Sequence, residues 1–378
     1  MILTPEQFTG NDTERIQQAL NAATKNDIVL ITGEHQQRWM LDEALLLHSD
    51  LHMEIRDCTL KLSNQCRDNF MRSNNCGLGM TEHPLISNLK ILGYGNAVLE
   101  GADVPRATGD GAKILFTENS PAHPEWPYSY GSDAEKPDQY PKGDWRNIGI
   151  LLCNLDDFEI SGLTLREYHA WGISMERCSN GRLKNITLDA HDPVLINGIP
   201  QHVKNRDGID LRFGCHHIEI CNINGESGDD IIALTALAKF GPRPPHSTEV
   251  STIPPGADVD IHDVRIHDIF GHTQHQFIRL LCAAPSRIYN VDIYNCIAHE
   301  NTRRAILLGD TNYGGNKGEV SNISLRNFTS SAYQSCIELV SVCRNITIEN
   351  VTNKCQSVPL IKIAPSADVS GLTTRNNN

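Results

Sequence analysis

The sequence is short of positive charge. Its 378 residues carry 33 Lys and Arg against 46 Asp and Glu, a formal net charge of −13. A nucleic-acid binder presents a basic face, so that class is disfavoured. Long-range capture of polyanions is disfavoured too, although a local basic pocket stays open. No apolar run reaches the roughly 18 residues of a membrane span, so no membrane partner is expected. The opening stretch "MILTPEQFTGNDTERIQ" has no basic segment leading into an apolar one. That predicts a cytoplasmic chain; a leader removed ahead of this start would make it secreted. Twelve cysteines occur, none closer than six residues to the next, and no C-x-x-C exists. Zinc ribbons and thioredoxin-type sites are therefore disfavoured. Cys153, Cys221, Cys282 and Cys336 sit in apolar segments and read as small core residues in a reducing compartment. No G-x-S-x-G or phosphate-loop motif is present. His272 and His275 form H-x-x-H without a glutamate at zincin spacing. "DVDIHDVRIHD" (258–268) reads as a strand rather than a calcium loop, so no metal or cofactor is expected.

What the sequence does have is a repeating strand pattern. Short alternating segments recur: "NLKILG", "DFEISGLTL", "NITLDA", "HIEICNI", "DVRIHDI", "NVDIYNC", "NISLRNF" and "NITIENV". Matched apolar positions are Phe158, Ile186, Ile218, Val264, Val291, Ile323 and Ile346. The steps between them are 28, 32, 46, 27, 32 and 23 residues. Alternation of period two means strands, and self-similarity in the twenties with inserts means a solenoid. Asparagine opens five of the units, at Asn88, Asn185, Asn290, Asn322 and Asn345. Asparagine tolerates left-handed backbone and can pair with its own copy one coil away. The expected fold is all-β: one right-handed parallel β-helix domain over residues 1–378, with an N-terminal cap in 1–30. Within that cap, residues 13–24 form a helix with Ile16, Leu20 and Ala23 on its apolar face, and Asn11 or Asp12 caps it.

Two segments break the rhythm. Residues 116–145 hold six of the 22 aromatic residues and five prolines. Sugar rings stack on aromatics, so this insert could wall a saccharide cleft, or it packs on its own scaffold. The second insert, 239–256, is a lid or a decoration.

The stretch "NRDGIDLRFGCHHIEICNINGESGDD" puts Asp207 22 residues before Asp229, with Asp230 next. Successive coils of a parallel β-helix lie about 4.8 Å apart. A step near one coil brings three carboxylates to one patch. Like charges that close cannot all ionise, so at least one pKa rises, and an acid separates from a base. That is the equipment for cleaving a glycosidic bond. Spacing alone leaves inverting and retaining geometries open.

These residues resemble the polygalacturonase-like glycoside hydrolases (glycoside hydrolase family 28) of the pectin-lyase-like β-helix superfamily. The family motif Asn-x-Asp-Gly-Ile-Asp, followed about one coil later by Gly-Asp-Asp, appears here as "NRDGIDL" and "GDDIIAL". The segment "ISGLTLREYHAWGISMERCSN" (160–180) also resembles the family, and "NDTERIQQAL" its superfamily cap. The resemblance implies Asp229 as general acid, Asp207 and Asp230 as the pair that activates water, and inversion. It adds Asn205, His169 and Trp171 as substrate-binding candidates. Two family motifs are altered. Where Gly-His-Gly is expected, the chain has "FGHTQHQFIRLL", offering His272 or His275, with register favouring the latter. Where Arg-Ile-Lys is expected, it has "RRAILLGD", with Arg303 and Arg304 displaced and no matching lysine. With Arg206, Arg212 and Arg279 these are the cations near the carboxylates. Loss of the lysine leans the expectation towards a neutral or weakly acidic sugar.

Three functions compete. The first is a glycoside hydrolase acting on an oligosaccharide. The second is a β-helix lyase or epimerase acting on uronides, which needs a base or calcium beside an enolate-like intermediate. The third is a saccharide-binding solenoid without turnover.

Overall fold

The computed structural model describes residues 1–66, 68–77, 79–103, 145–191, 193–196, 199–201, 205–238, 249–300, 302–309 and 317–378. By their internal contacts the residues form two compact units. The first comprises Met1–Ser174, Ile186–Arg206 and Pro242–Thr252, and the second Met175–Asn185, Asp207–Gly241 and Ile253–Asn378.

The first unit opens on helix α1, Asp12–Ala22. Asn11 caps it: its side chain accepts from the Glu14 N–H, and the Glu14 carboxylate accepts from the Asn11 N–H. This reciprocal box satisfies two donors that a helix start leaves open. Ile16, Ala19 and Leu20 are fully buried. Beyond the helix, parallel strands stack on three faces. One face runs Ile28–Thr32, Leu51–Arg56, Ile86–Tyr94, Leu155–Ser161. A second runs Arg38–Leu41, Thr59–Leu62, Val98–Glu100, Thr164–Arg166. A third runs Leu45–Leu47, Met71–Ser73, Ile150–Cys153.

The second unit is built from two parallel sheets whose strands alternate along the chain. We number them β1 (Ile209–Arg212), β2 (His216–Glu226), β3 (Ile232–Ala236), β4 (Ile261–His272), β5 (Gln276–Cys282), β6 (Arg287–Ala298), β7 (Arg304–Leu308), β8 (Glu319–Ser330), β9 (Ser335–Leu339), β10 (Val342–Asn353) and β11 (Ile361–Ile363). The even strands pair in order, as do the odd ones. The predicted apolar ladder is the register of the even sheet: Ile218, Val264, Val291, Ile323 and Ile346 are level with one another. All five are buried. Every second side chain points inward, so a strand stacked in register buries one continuous apolar column. The fold is a parallel β-helix.

The asparagines behave as their chemistry requires. Asn290, Asn322 and Asn345 have φ near +55° (55, 55 and 53°). Asn345 Nδ2 donates to Asn322 Oδ1 at 3.1 Å, and Asn322 Nδ2 to Asn290 Oδ1 at 3.2 Å. A second ladder, Asn295, Asn327 and Asn350, repeats this at the next bend. Gly271 faces Gly225 across the sheet, where a Cβ would lie 2.1 Å from the Gly225 carbonyl oxygen. The glycine beside His272 thus serves close backbone approach.

No disulfide joins the twelve cysteines; ten are buried and Cys221 and Cys355 are partly exposed. Cys221 therefore departs from its reading as a core residue, because it lies between inward-facing Ile220 and Ile223 at the Asn222 bend. Residues 116–144 of the aromatic insert and 239–248 of the second insert lie outside the described residues. Trp145 packs with Cys76, Ile148, Leu151, Cys153, Trp171 and Val250 in the first unit.

Candidate active site

The carboxylates gather at the start of the odd sheet. Ile209 of β1 faces Ile232 of β3, a step of 23 residues. Continued two residues back, that register sets Asp207 level with Asp230, and the Gly208 N–H donates to the Asp230 carbonyl at 2.8 Å. Asp229 sits one place earlier on the same coil. On the next coil the position level with Asp230 is Gln276, whose carbonyl accepts from the Ile231 N–H at 3.3 Å.

Burial makes this a site rather than a solvated turn. Asp207, Asp210, Asp229 and Asp230 are 7, 1, 8 and 1% exposed. Desolvation pushes Asp207 and Asp230 well above the ordinary carboxylate range. The neighbouring carboxylates add to the rise, and the Arg279 guanidinium opposes it. Burial likewise raises Asp210 to about 8, against the pull of Arg212. Charge in low dielectric is costly, so these acids retain protons that exposed ones would release.

Hydrogen bonds orient the cluster. Asp230 Oδ1 accepts from the Gln276 backbone N–H at 3.0 Å and from Gln276 Nε2 at 2.9 Å. Asp230 Oδ2 lies 3.6 Å from Arg279 Nη1. Oδ2 of Asp230, Oδ1 of Asp207 and Oδ2 of Asp210 are buried without a hydrogen-bond partner among the described residues. Three acceptor atoms left open inside one cluster are where a substrate hydroxyl or a water would be received. The Asp229 backbone carbonyl is fixed by the Ser227 hydroxyl at 2.6 Å and by the Thr273 hydroxyl.

The histidines separate. His275 Nδ1 lies 3.4 Å from Asp229 Oδ1, whereas His272 Nε2 pairs with Glu226 at 2.9 Å. The consecutive arginines separate as well. Arg303 Nε donates to the neutral Gln334 Oε1 at 2.5 Å. Arg304 Nε donates to Glu338 Oε2 at 2.5 Å, and its Nη1 to Gln276 Oε1 at 3.1 Å.

Other sequence candidates belong to the first unit. His169 is buried, and its Nε2 accepts from the Ala102 N–H at 2.9 Å. Burial, reinforced by Arg206 and Lys61, lowers its pKa to about 3, so it is a neutral scaffold residue. Trp171 is packed in the aromatic cluster with Trp145. Arg206 is 1% exposed and bonded to the Tyr168 and His191 carbonyls and to Glu167. Asn205 holds a left-handed turn, φ 57°. Asp210 and Gln276 are the residues that sequence reasoning passed over. The signal for Asp210 was an acid flanked by Ile209 and Leu211 inside a strand. Away from the carboxylates, His217, His262 and Asp263 bring donor atoms within 4.8 Å of one another and could hold a cation.

Residues 132–240 match the family described as "Glycosyl hydrolases family 28". That span contains Asp207, Asp210, Asp229 and Asp230. Over that span the chain is similar to glycoside hydrolase family 28. No curated protein matches it. Among solved structures, an endo-xylogalacturonan hydrolase of Aspergillus tubingensis aligns with 14% identity and a TM-score of 0.64, over 100% of this chain and 92% of that one. A family 28 exopolygalacturonase of Yersinia enterocolitica gives 14% and 0.57, over 100% and 77%. A surface adhesin of Streptococcus pneumoniae gives 11% and 0.54, over 99% and 93%. At such identities the likeness is one of fold, and the adhesin demonstrates that this fold also serves proteins named for binding. The matched segment and its carboxylates carry the functional reading.

Proposed function

We propose that the protein hydrolyses an O-glycosidic bond of a pectin-type oligosaccharide with inversion, using Asp229 as general acid and Asp207 with Asp230 to activate water. One observation carries this reading: four buried aspartates from two adjacent coils, in which burial and the neighbouring carboxylates raise both Asp207 and Asp230. Protons in such a cluster belong to the set rather than to one residue. A proton shared by Asp207 and Asp230 leaves one carboxylate ionised, and that one accepts the proton of the attacking water. Asp229 delivers its proton to the leaving oxygen, and His275 stands beside it to hold the carboxyl orientation. The galacturonan hydrolases among the structural neighbours support a pectin-type substrate. Arg303 supports it further: among the described residues its side chain bonds a neutral amide, and a guanidinium so placed suits a uronate carboxylate. This moves the reading from a neutral sugar towards an acidic one, because of the two consecutive arginines it is Arg304 that is bonded to a carboxylate among the described residues.

The test is digestion of a panel of galacturonan, xylogalacturonan and neutral galactoside oligomers in ¹⁸O-water. Mass spectrometry should find one heavy oxygen per bond cleaved, and NMR of fresh products the inverted anomer. Asp229→Asn should lower turnover by about 10²–10⁴-fold without unfolding the protein. Unsaturated products free of label would make it a lyase. Binding with no turnover on any member of the panel would make it a saccharide-binding solenoid.

A further inference from the structure

Arg304 follows Arg303 directly, yet its guanidinium is turned into a chain of buried polar groups. Gln276 Oε1 accepts from Arg304 Nη1 at 3.1 Å, and Gln276 Nε2 donates to Asp230 Oδ1 at 2.9 Å. On its other side Arg304 is bound by Glu338 at 2.5 Å. Glu338 also accepts from Lys362 at 2.8 Å and from the Ser335 hydroxyl at 3.2 Å. Each link lies on a successive strand of the odd sheet. Gln276 is level with Arg304, and Glu338 with Lys362. The side chains of Arg304 and Glu338 are 15 and 7% exposed, and Gln276 is 6% exposed.

We propose that Glu338, Arg304 and Gln276 form a positioning relay that orients the Asp230 carboxylate, so that Arg304 acts on the reaction from behind and does not touch substrate. The argument is one of donors and acceptors. A glutamine amide can present either end to a neighbour. An arginine only donates, so it draws the amide oxygen to itself and leaves the NH₂ facing Asp230. With the amide reversed, its oxygen would oppose the carboxylate oxygen. Glu338 holds Arg304 at this angle and neutralises it, which a charge so deeply placed requires. The result is an asymmetric carboxylate. Asp230 Oδ1 has two donors, while Oδ2 has no hydrogen-bond partner among the described residues and lies 3.6 Å from Arg279 Nη1. The groups facing Asp230 are Asp207 and Asp210 from the preceding coil, Asp229 on its own coil, and Gln276 and Arg279 from β5. Of these, Gln276 is the one whose orientation Arg304 sets. Its catalytic meaning rests on the reading of Asp230 given above.

The test needs no substrate. Side-chain carboxyl ¹³C NMR of the whole protein is followed against pH, with the Asp230 signal assigned by its loss in Asp230→Asn. A donor to a carboxylate favours the ionised form, so its removal raises the midpoint. Gln276→Leu and Arg304→Met should each move the Asp230 midpoint up by about one pH unit, and the double variant no further. Arg304→Lys, which still donates to the amide oxygen, should restore at least half of the change. If Arg304→Met does not fold, Glu338→Gln replaces it and should move the midpoint in the same direction. An Asp230 midpoint unchanged in the arginine or glutamate variant, beside a shifted one in Gln276→Leu, would overturn the relay. So would additive shifts in the double variant. Turnover by Asp229→Asn judges the catalytic reading separately, so the two can fail independently.

Discussion

Replacing Asp210 with asparagine should stabilise the protein, by an amount that grows with pH. Asp210 is 1% exposed, and its Oδ2 lacks a hydrogen-bond partner among the described residues. Burial raises its pKa from 3.8 to about 8, with Arg212 and Arg279 opposing and Asp229 adding. For an acid raised in this way, the folded state keeps a proton that the unfolded state has released. Stability therefore falls as pH rises from about 4 to about 8 and levels off above that. At roughly 1.4 kcal/mol per pH unit, the penalty is on the order of 4 kcal/mol near pH 7 and nearer 6 above pH 8. Asparagine keeps the shape and cannot ionise. Its amide hydrogens need partners, which costs roughly 1 kcal/mol. The variant should be close to neutral near pH 5 and several kcal/mol more stable near pH 9. Urea denaturation of both proteins at three pH values measures this directly. An Asp210→Asn effect that is the same at low and high pH, or a loss of stability in alkali, would refute the assignment of Asp210 as a buried protonated acid.

Two further outcomes follow from the same geometry. Burial pushes the Cys282, Cys296 and Cys336 thiols up to about 12. The native protein should therefore react slowly with thiol reagents, Cys355 and Cys221 first, while the denatured, unreduced protein should titrate all twelve; a count of eight or fewer would mean disulfides. Arg303→Ala should raise KM for galacturonan oligomers by about tenfold or more and leave neutral oligomers unaffected; equal losses on both would remove Arg303 from carboxylate recognition.

Much of the scaffold was legible because a stacked strand advertises itself. The column Ile218, Val264, Val291, Ile323, Ile346 can be read from alternation alone, since inward positions must be apolar on every coil. The asparagine ladders were legible for a similar reason: few other residues accept φ near +55°. The site was legible only in outline. The three aspartates stood out, and a step near one coil set them on adjacent turns; that Asp207 is level with Asp230 rather than Asp229 is given only by the strand register. Strand patterns fix the period of a coil, whereas register also depends on the bend between strands. The division of labour between Arg303 and Arg304 was not legible at all. It is decided by Glu338 and Gln334, more than thirty positions away in the chain and one coil away in space. His169 and Trp171 looked like sugar contacts because they are the residue types that bind sugars. Both are buried in the first unit, which single-sequence patterns report poorly for such residues.

The stacking that builds the core also sets a problem for the site, and the chain answers it rung by rung. In a parallel β-helix each residue faces its level neighbour at about 4.8 Å, so like is placed upon like. For isoleucine this buries a column, and for asparagine it closes a hydrogen bond. For carboxylates it adds repulsion to desolvation, and both Asp207 and Asp230 are raised well above the ordinary carboxylate range. A third acid on the next rung would deepen the penalty without adding chemistry. The level position there is Gln276, a donor, and beyond it Arg304, a cation. The neighbouring column runs Asp210, Ala233, Arg279, Leu307, Glu338, Lys362, with every charge followed by its opposite after an apolar spacer or directly. The carboxylate pair is thus confined to two coils by the residues stacked beyond it. The odd sheet beneath the catalytic coils is an ordered sequence of counter-charges, and a change in any one of them should be felt at Asp230 before it is felt in the apolar core.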